Sequence, residues 1–374
     1  MKGRVLVAGF ATRHVAQSAE RAGYEVCAVD HFCDQDLIWC TKDREKFEEL
    51  EDLPGAIDRI CQRHRFDCFV PASGAETITP PVPLLGTPAE SIARFLDKLD
   101  TQRFFESLGV PVPRLMPEGE YPAMVKPRTG AGGWRNAVIG SDAEMAAWRT
   151  AYEDVPCIRQ EVIGGIPASV CCIADGSHAM AITANEQILR GSGESAFGFS
   201  GSITPFVHPK GREMMVIAER IAAASGCRGT IGIDFVVSDD RAVAIEVNPR
   251  FQGTVDTVEM ACGCSLFDLH VSACRGILPA AAPSPAQVAV RSILFADRDM
   301  TIAADLSPLR DYISDIPWPG TSFEAGQALV SVSGWGATRG EALSFSRSEE
   351  MSPCRRSNIL RTSQHQDMFR LEPD

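Results

Sequence analysis

The stretch TIGIDFVVSDDRAVAIEVNPRFQGTVD, Thr230 to Asp256, decides how the rest of the chain is read. Two β-prone runs flank the turn-prone SDDR, and a loop over 238–242 predicts a hairpin with Asp234 directly opposite Glu246. Beyond the turn, Glu246, Asn248 and Arg250 fall at every second position, one face of an extended segment where apolar side chains would be expected. Two facing carboxylates repel, and burial raises the pKa of one of them, so such a pair calls for a cation. With the Asn248 oxygen added, the ligand set is all hard oxygen without Cys or His, which suits Mg²⁺ (or Mn²⁺) and not zinc. A Mg²⁺ held by few protein groups borrows phosphate oxygens from a nucleotide, and Arg250 shares the face from which a transferring phosphoryl group would be held. The alternative is a surface hairpin whose polar residues face water. Asn and Pro in a strand end, both poor strand formers, count against it.

Phosphates held on one side need a second wall, and VKPRTGAGGW offers one: a strand-borne Lys126 followed by a turn containing Gly130, Gly132 and Gly133. Glycine lets backbone N–H groups approach phosphate, and the lysine supplies charge. Lysine comes first and the glycines after, so this is not a Walker loop. Taken alone the segment reads as an ordinary hairpin; its value lies in the combination.

Working outward, the N-terminus reads strand (RVLVAGF), helix over 13–22 ended by Gly23, then strand (YEVCAVD), a β-α-β start. FDCFVPA (66–72) repeats the strand signature after a charged helical stretch over 44–63, which predicts a small parallel α/β domain over 1–92. Only Gly9 follows the first strand, so the three-glycine dinucleotide fingerprint is missing. A helix capped by Asp100 and stopped by Gly109 opens a second domain, 93–279, of hairpins and interleaved helices, with a helix expected over 210–225. After the linker PAAAPSPAQ, short strands and a helical TRGEAL predict a small β-rich module over 280–350, and the polar segment 351–374 reads as a disordered tail.

The bulk numbers bound the partners. The 374 residues, 45% of them hydrophobic, suffice for two or three domains with cores of their own. A formal charge of −13 argues against nucleic acid or a membrane surface as the main partner. No apolar run approaches the roughly 18–20 residues of a membrane span, and MKGRVLVAGF enters a strand pattern and not a cleavable signal, so a cytoplasmic protein is expected. The 13 cysteines read as reduced core thiols, because neither Cys171/Cys172 nor Cys262/Cys264 has a second pair to complete a zinc tetrahedron.

With these motifs in this order, the chain resembles the ATP-grasp superfamily over residues 1 to about 340, and within it the stand-alone archaeal-type carboxylate–amine ligases of the carboligase-like group. The resemblance implies a Rossmann-like pre-ATP-grasp domain, a two-subdomain ATP-grasp core, and ATP as co-substrate. It implies Lys98, in the helix-leading Asp97-Lys98, and Lys126 as phosphate contacts, with Gly130 to Gly133 as the lid. The hinge RQEVIGG implies adenine contacts at Gln160, Glu161 and Ile163, through the backbone more than the side chains. Asp234, Glu246 and Asn248 are the implied metal ligands, with Arg250 stabilising phosphoryl transfer. Two departures stand out: Pro167, Ala168 and Ser169 occupy the region where an acidic residue often holds the ribose, and Thr254 stands where biotin carboxylases carry a glutamate base.

The implied reaction activates a small carboxylate substrate to an acylphosphate, which a small amine then attacks to give an amide on amino-acid-like molecules, as in cofactor biosynthesis. For the second substrate, Asn185 and Gln187 resemble the equivalent strand of the stand-alone ligases, and Arg190 is placed to clamp a carboxylate; an exposed polar strand face is the competing reading. Relatives imply a homodimer. The other functional readings are a biotin-carboxylase-like ATP-dependent carboxylase, against which Thr254 counts, and a nucleotide-binding regulator without turnover, which needs no phosphoryl-stabilising arginine.

Overall fold

The computed structural model describes residues 2–345 apart from 131, 192 and 194; the tail expected from Met351 lies outside the described residues. The N-terminal layer runs β1 (Arg4–Ala8), α1 (Arg13–Arg21), β2 (Glu25–Asp30), α2 (Gln35–Cys40), β3 (Asp43–Lys46), α3 (Leu53–Arg63) and β4 (Cys68–Pro71), with a parallel sheet of order β3-β2-β1-β4. The helix expected over 44–63 is in fact a strand followed by a helix. Asp43 to Lys46 pair in parallel with Cys27 to Asp30 at the sheet edge. Their charges, which suggested a helix surface, are met by α3 and the residue after it: Arg63 and His64 reach Asp43, while Arg59 and Arg63 reach Glu45. Ion pairing across elements outweighed the weak strand propensity of those residues.

A short α4 (Ala89–Ile92) leads into α5 (Lys98–Ser107), whose cap is Asp97 and not Asp100. Asp97 has extended backbone, and its carboxylate accepts from the amides of Leu99 and Asp100, which satisfies donors that the first helical turn leaves open. A three-stranded antiparallel sheet, β6-β5-β7, follows from β5 (Ala123–Pro127), β6 (Ala137–Ile139) and β7 (Cys157–Glu161), backed by α6 (Asp142–Ala151).

The largest sheet draws on β8 (Ile166–Asp175), β9 (Ala179–Leu189), β10 (Phe199–Thr204), β11 (Arg228–Val237) and β12 (Ala242–Asn248), with α7 (Gly211–Ala224) inserted before β11. α8 (Val255–Cys262) and α9 (Leu266–Cys274) follow, then β13 (Val288–Phe295), β14 (Met300–Thr301), β15 (Ile313–Ser314), β16 (Ser322–Phe323), β17 (Ala328–Gly336) and α10 (Arg339–Phe345). The order is β12-β11-β8-β9-β10-β13-β17-β15, so three strands expected to make a module of their own extend the central sheet. β13 achieves this by pairing with β10 on one side and β17 on the other.

Two cores clamp this sheet. On one face, α5 and α7 pack Phe105, Met214 and Ile221 against Ile231, Ile233 and Phe235. A second core joins Val15 and Ala19 of α1 to Phe251, Val258 and Phe267, with Cys171 and Ile173 of β8, and so glues the N-terminal layer to α8 and α9. Full burial of side chains such as Phe251 and Phe267 is worth about 2–3 kcal/mol each. Among the described residues no helix is long and apolar enough to cross a membrane, and the cysteines are free.

Candidate functional site

The hairpin β11–β12 forms in the expected register, with Asp234 opposite Glu246 and Gly232 opposite Asn248. A bulge after Asp234 locally shifts the pairing, a device that re-aims side chains. The Asp234 carboxylate is bracketed by three amides: Oδ1 accepts from Gln187 at 3.0 Å and from Gln252 at 3.3 Å, while Oδ2 accepts from Asn248 at 3.0 Å. Burial, then the Glu246 charge beside it, push Asp234 up to about 7, against the pull of Arg250 and the amides. Arg250 in turn donates Nη2 to Asn248 Oδ1 at 3.3 Å and pairs through Nε with Glu76, 2.5 Å away. Glu76 comes from the loop after β4, so the carboxyl end of the parallel sheet faces the hairpin.

Across from the carboxylates stands Lys126 on β5. Burial lowers its pKa to about 8; Lys98 pushes the same way and Glu246 opposes. Its ammonium makes no hydrogen bond or ion pair among the described residues. Lys98, the first residue of α5, donates Nζ to the carbonyl of Gly130 at 2.7 Å, and so joins the helix start to the glycine turn. Gly130, Gly132 and Gly133 have φ of 107°, 74° and 70°, a region that a Cβ disfavours. At Gly133 a Cβ would also lie 2.4 Å from the Phe197 carbonyl oxygen, so the turn is seated on the loop before β10. Trp134 beside it is exposed, with the Arg135 guanidinium 3.8 Å from its ring centre.

The hinge residues lie at the end of β7 and in the link to β8. Gln160 is buried; it donates to Gln102 at 2.6 Å and leaves its own Oε1 without a partner among the described residues. Glu161 accepts from the Arg114 amide at 3.1 Å and from Arg241 at 3.5 Å. Ile163 is half-buried in the link itself.

The three residues read as substrate contacts are committed elsewhere. Asn185 is fully buried, accepts from Thr204 at 2.7 Å and donates to Ser169 at 3.4 Å, so the exposed-face alternative fails for it too. Gln187 is spent on Asp234. Arg190 donates to the Gly326 carbonyl at 2.8 Å and lies 3.9 Å over the Phe295 ring, ordered by the C-terminal strands. Two site residues escaped the sequence reading. Gln252 continues the alternation 246, 248, 250 by one more step, a signal that was present. Glu76 lies 174 positions before Arg250 and gave none.

Behind the site a buried charge cluster ties the layers together. Arg13 of α1, 4% exposed, pairs with Asp256 of α8 at 2.7 Å, with Asp315 at 2.9 Å and with Asp36 at 3.6 Å. Arg291 of β13 reaches Asp315 at 2.6 Å and Asp256 at 3.4 Å. Burial alone would raise both aspartates, but the two arginines overcome it, bringing Asp256 to about 2 and Asp315 well below the usual carboxylate range. Among the described residues no three His, Cys, Asp or Glu side chains are arranged to hold a metal. The hairpin offers two carboxylates and an amide.

The ATP-grasp domain family model matches residues 95–254. An uncharacterized protein of Methanocaldococcus jannaschii is 25% identical, over 88% of this chain and 87% of its own length. The carbamoyl phosphate synthase large chain of Thermus thermophilus is 27% identical over 70% of this chain, which spans only 28% of that protein. The solved phosphoribosylamine–glycine ligase of Thermotoga maritima superposes with a TM-score of 0.72 at 14% identity, over 94% of this chain and 96% of its own. Residues 95–254 are an ATP-grasp domain, and the chain has the fold of the ATP-grasp superfamily.

Proposed function

We propose that this chain is an ATP- and Mg²⁺-dependent ligase that joins a small carboxylate to a small amine. One observation carries the reading: two unmet electrostatic needs of opposite sign face each other. Asp234 and Glu246 lie side by side with Asp234 raised to about 7, which asks for a cation. Lys126, lowered to about 8 with Lys98 beside it, asks for anions. A phosphate chain carrying a divalent cation answers both.

In this reading Asp234, Glu246 and Asn248 hold the metal, and Gln187 and Gln252 fix the Asp234 carboxylate. Lys98 and Lys126 hold phosphate oxygens, and the backbone of Gly130, Gly132 and Gly133 closes over them. Gln160, Glu161 and Ile163 flank the base, with the unpartnered Gln160 Oε1 available to an N–H donor. When bound, MgATP supplies the phosphoryl group that activates the substrate carboxylate as an acylphosphate, with the metal screening the developing charge. Arg250 holds the transferring oxygens and is kept in place by Glu76 and Asn248. The glycine turn excludes water from a species that hydrolyses readily. The amine then attacks the acyl carbon, the amide forms, and phosphate leaves.

The test is ADP release from MgATP against a panel of carboxylates, amines and bicarbonate, with mass spectrometry on any responding mixture. Turnover that needs an acid and an amine together, with a product lighter than their sum by one water, supports the ligase. Glu246→Gln abolishes that turnover while the fold is retained. Turnover with bicarbonate and no acid replaces the reading with a carboxylase, and nucleotide binding without turnover replaces it with a regulator.

A further inference from the structure

Two buried glutamines lie one step beyond the two lysines of the site. On α5, Gln102 follows Lys98 by four positions, one helical turn along the same face. On the three-stranded sheet, β5 and β7 pair with Lys126 opposite Ile158 and Met124 opposite Gln160. Residues opposite each other, and residues two apart on a strand, share a face, so Gln160 lies on the face that carries Lys126. Val125, between Met124 and Lys126, turns the other way, into the core with Met145 and Trp148. Both glutamines are 3% exposed, and Gln160 donates Nε2 to Gln102 Oε1 at 2.6 Å.

The direction of that bond is dictated from outside the pair. Gln102 Nε2 meets the Pro113 carbonyl at 2.7 Å and the Glu106 carboxylate at 2.9 Å. Both can only accept, so the nitrogen of Gln102 faces them and its oxygen faces Gln160. That oxygen takes the Gln160 nitrogen, which leaves Gln160 Oε1 at the far end, buried without a partner among the described residues. Turning the Gln160 amide over would set two oxygens against each other. The Pro113 carbonyl thus decides, through two amides in series, that Gln160 presents an acceptor and not a donor. Met124, opposite Gln160 on the same face, is only half-buried, and an unbranched thioether side chain adapts readily to an entering ring.

Resting on the ligase reading above, we propose that Gln102 is a positioning residue that sets which nucleotide base the site takes. By holding Gln160 as a pure acceptor, it selects a base with an amino N–H to offer, as adenine has. A base with a carbonyl oxygen in that place, as in hypoxanthine, sets a second oxygen against Gln160 Oε1. A site whose buried polar group is left unpaired rejects even a near-isostere of its ligand. Gln102 itself touches no base and acts only through Gln160.

Calorimetric titration of the full chain with MgADP and with MgIDP tests this, because the two bases differ at that amino group. Wild type should bind MgADP at least about tenfold tighter, a ratio equivalent to about 1.4 kcal/mol. Gln102→Met keeps side-chain length but removes the oxygen that orients Gln160, and Gln160→Met removes the acceptor itself; each should bring the ratio below about threefold. Gln102→Glu keeps an oxygen toward Gln160 and should keep the preference. A residue serving packing alone would shift both affinities together and leave the ratio where it was. A wild-type ratio near one, a ratio unchanged in either methionine variant, or one lost as fully in Gln102→Glu as in Gln102→Met overturns the role of Gln102. Binding of neither nucleotide overturns the ligase reading, and the base selection with it; binding of both at equal strength overturns the base selection alone.

Discussion

Replacing Asp234 by Asn separates the electrostatic cost of the carboxylate pair from everything else the hairpin does. In the folded chain Asp234 titrates at about 7, raised by burial and by Glu246, against a usual value of 3.8. A folded-state pKa above the unfolded one means that the native state binds the proton more tightly, so stability is full below the unfolded value and falls as pH rises through the folded one. The gap between those two values corresponds to about 4 kcal/mol. Between about pH 5.5 and about pH 8.5 roughly half of that, about 2 kcal/mol, is lost. The Asp234→Asn variant lacks this slope. Its new side-chain amide also sets an N–H against one of the three amides now donating to Asp234, a penalty that does not vary with pH. Lys126 and Asp34 titrate in the same window but are common to both proteins, so the difference between them isolates Asp234. Thermal melts without metal should show D234N gaining on wild type by several degrees as pH rises over that range, at about 2–4 °C per kcal/mol. Saturating MgATP should erase the slope in the wild type, because a bound cation stabilises the ionised pair. A pH-independent difference between the two proteins, or a wild type that gains on D234N as pH rises, would refute both the adjacency argument and the metal assignment built on it.

Two further substitutions probe the scaffold. Arg13→Ala leaves the buried Asp36 without its arginine and leaves Asp256 and Asp315 to Arg291 alone, and breaking such a cluster from one side costs about 3 kcal/mol; urea unfolding showing a loss below about 1 kcal/mol would sink the idea that this cluster fastens the N-terminal layer. Gly232→Ala places a methyl group 1.7 Å from the buried Gln252 amide, so Gln252 must leave Asp234. We expect about 1–3 kcal/mol of destabilisation together with weaker Mg²⁺ dependence of turnover, and an unchanged melting temperature would count against the packing described.

Legibility of the site followed the range of the interactions. Asp234 opposite Glu246 was readable because a short turn and a period of two fix a hairpin register locally. The same alternation would have yielded Gln252 had it been followed one residue further. Lys126 and the glycine turn were readable because positive φ favours glycine whatever the rest of the fold does. The strand at Asp43 to Lys46 was misread because its charges answer to partners on the following helix and just beyond it, not to its own period. Asn185, Gln187 and Arg190 looked like free polar groups because sequence carries no sign of what stands opposite: Thr204, Asp234 and Gly326 respectively.

The sequence by itself determined the β-α-β start, the helices of the middle region, the paired carboxylates and the lysine with its glycine turn, all features set by neighbours within a few residues or one hairpin. Only the tertiary structure decided that β13, β17 and β15 extend the central sheet, because edge pairing depends on which strand is left unpaired and not on the pairing strand's own residues. It alone brought Glu76 to Arg250 and gathered Arg13, Asp36, Asp256, Arg291 and Asp315 into one buried cluster. Charges can be drawn out of water only where the packing of several elements supplies their counter-charges at once, and no stretch of the chain contains that information by itself.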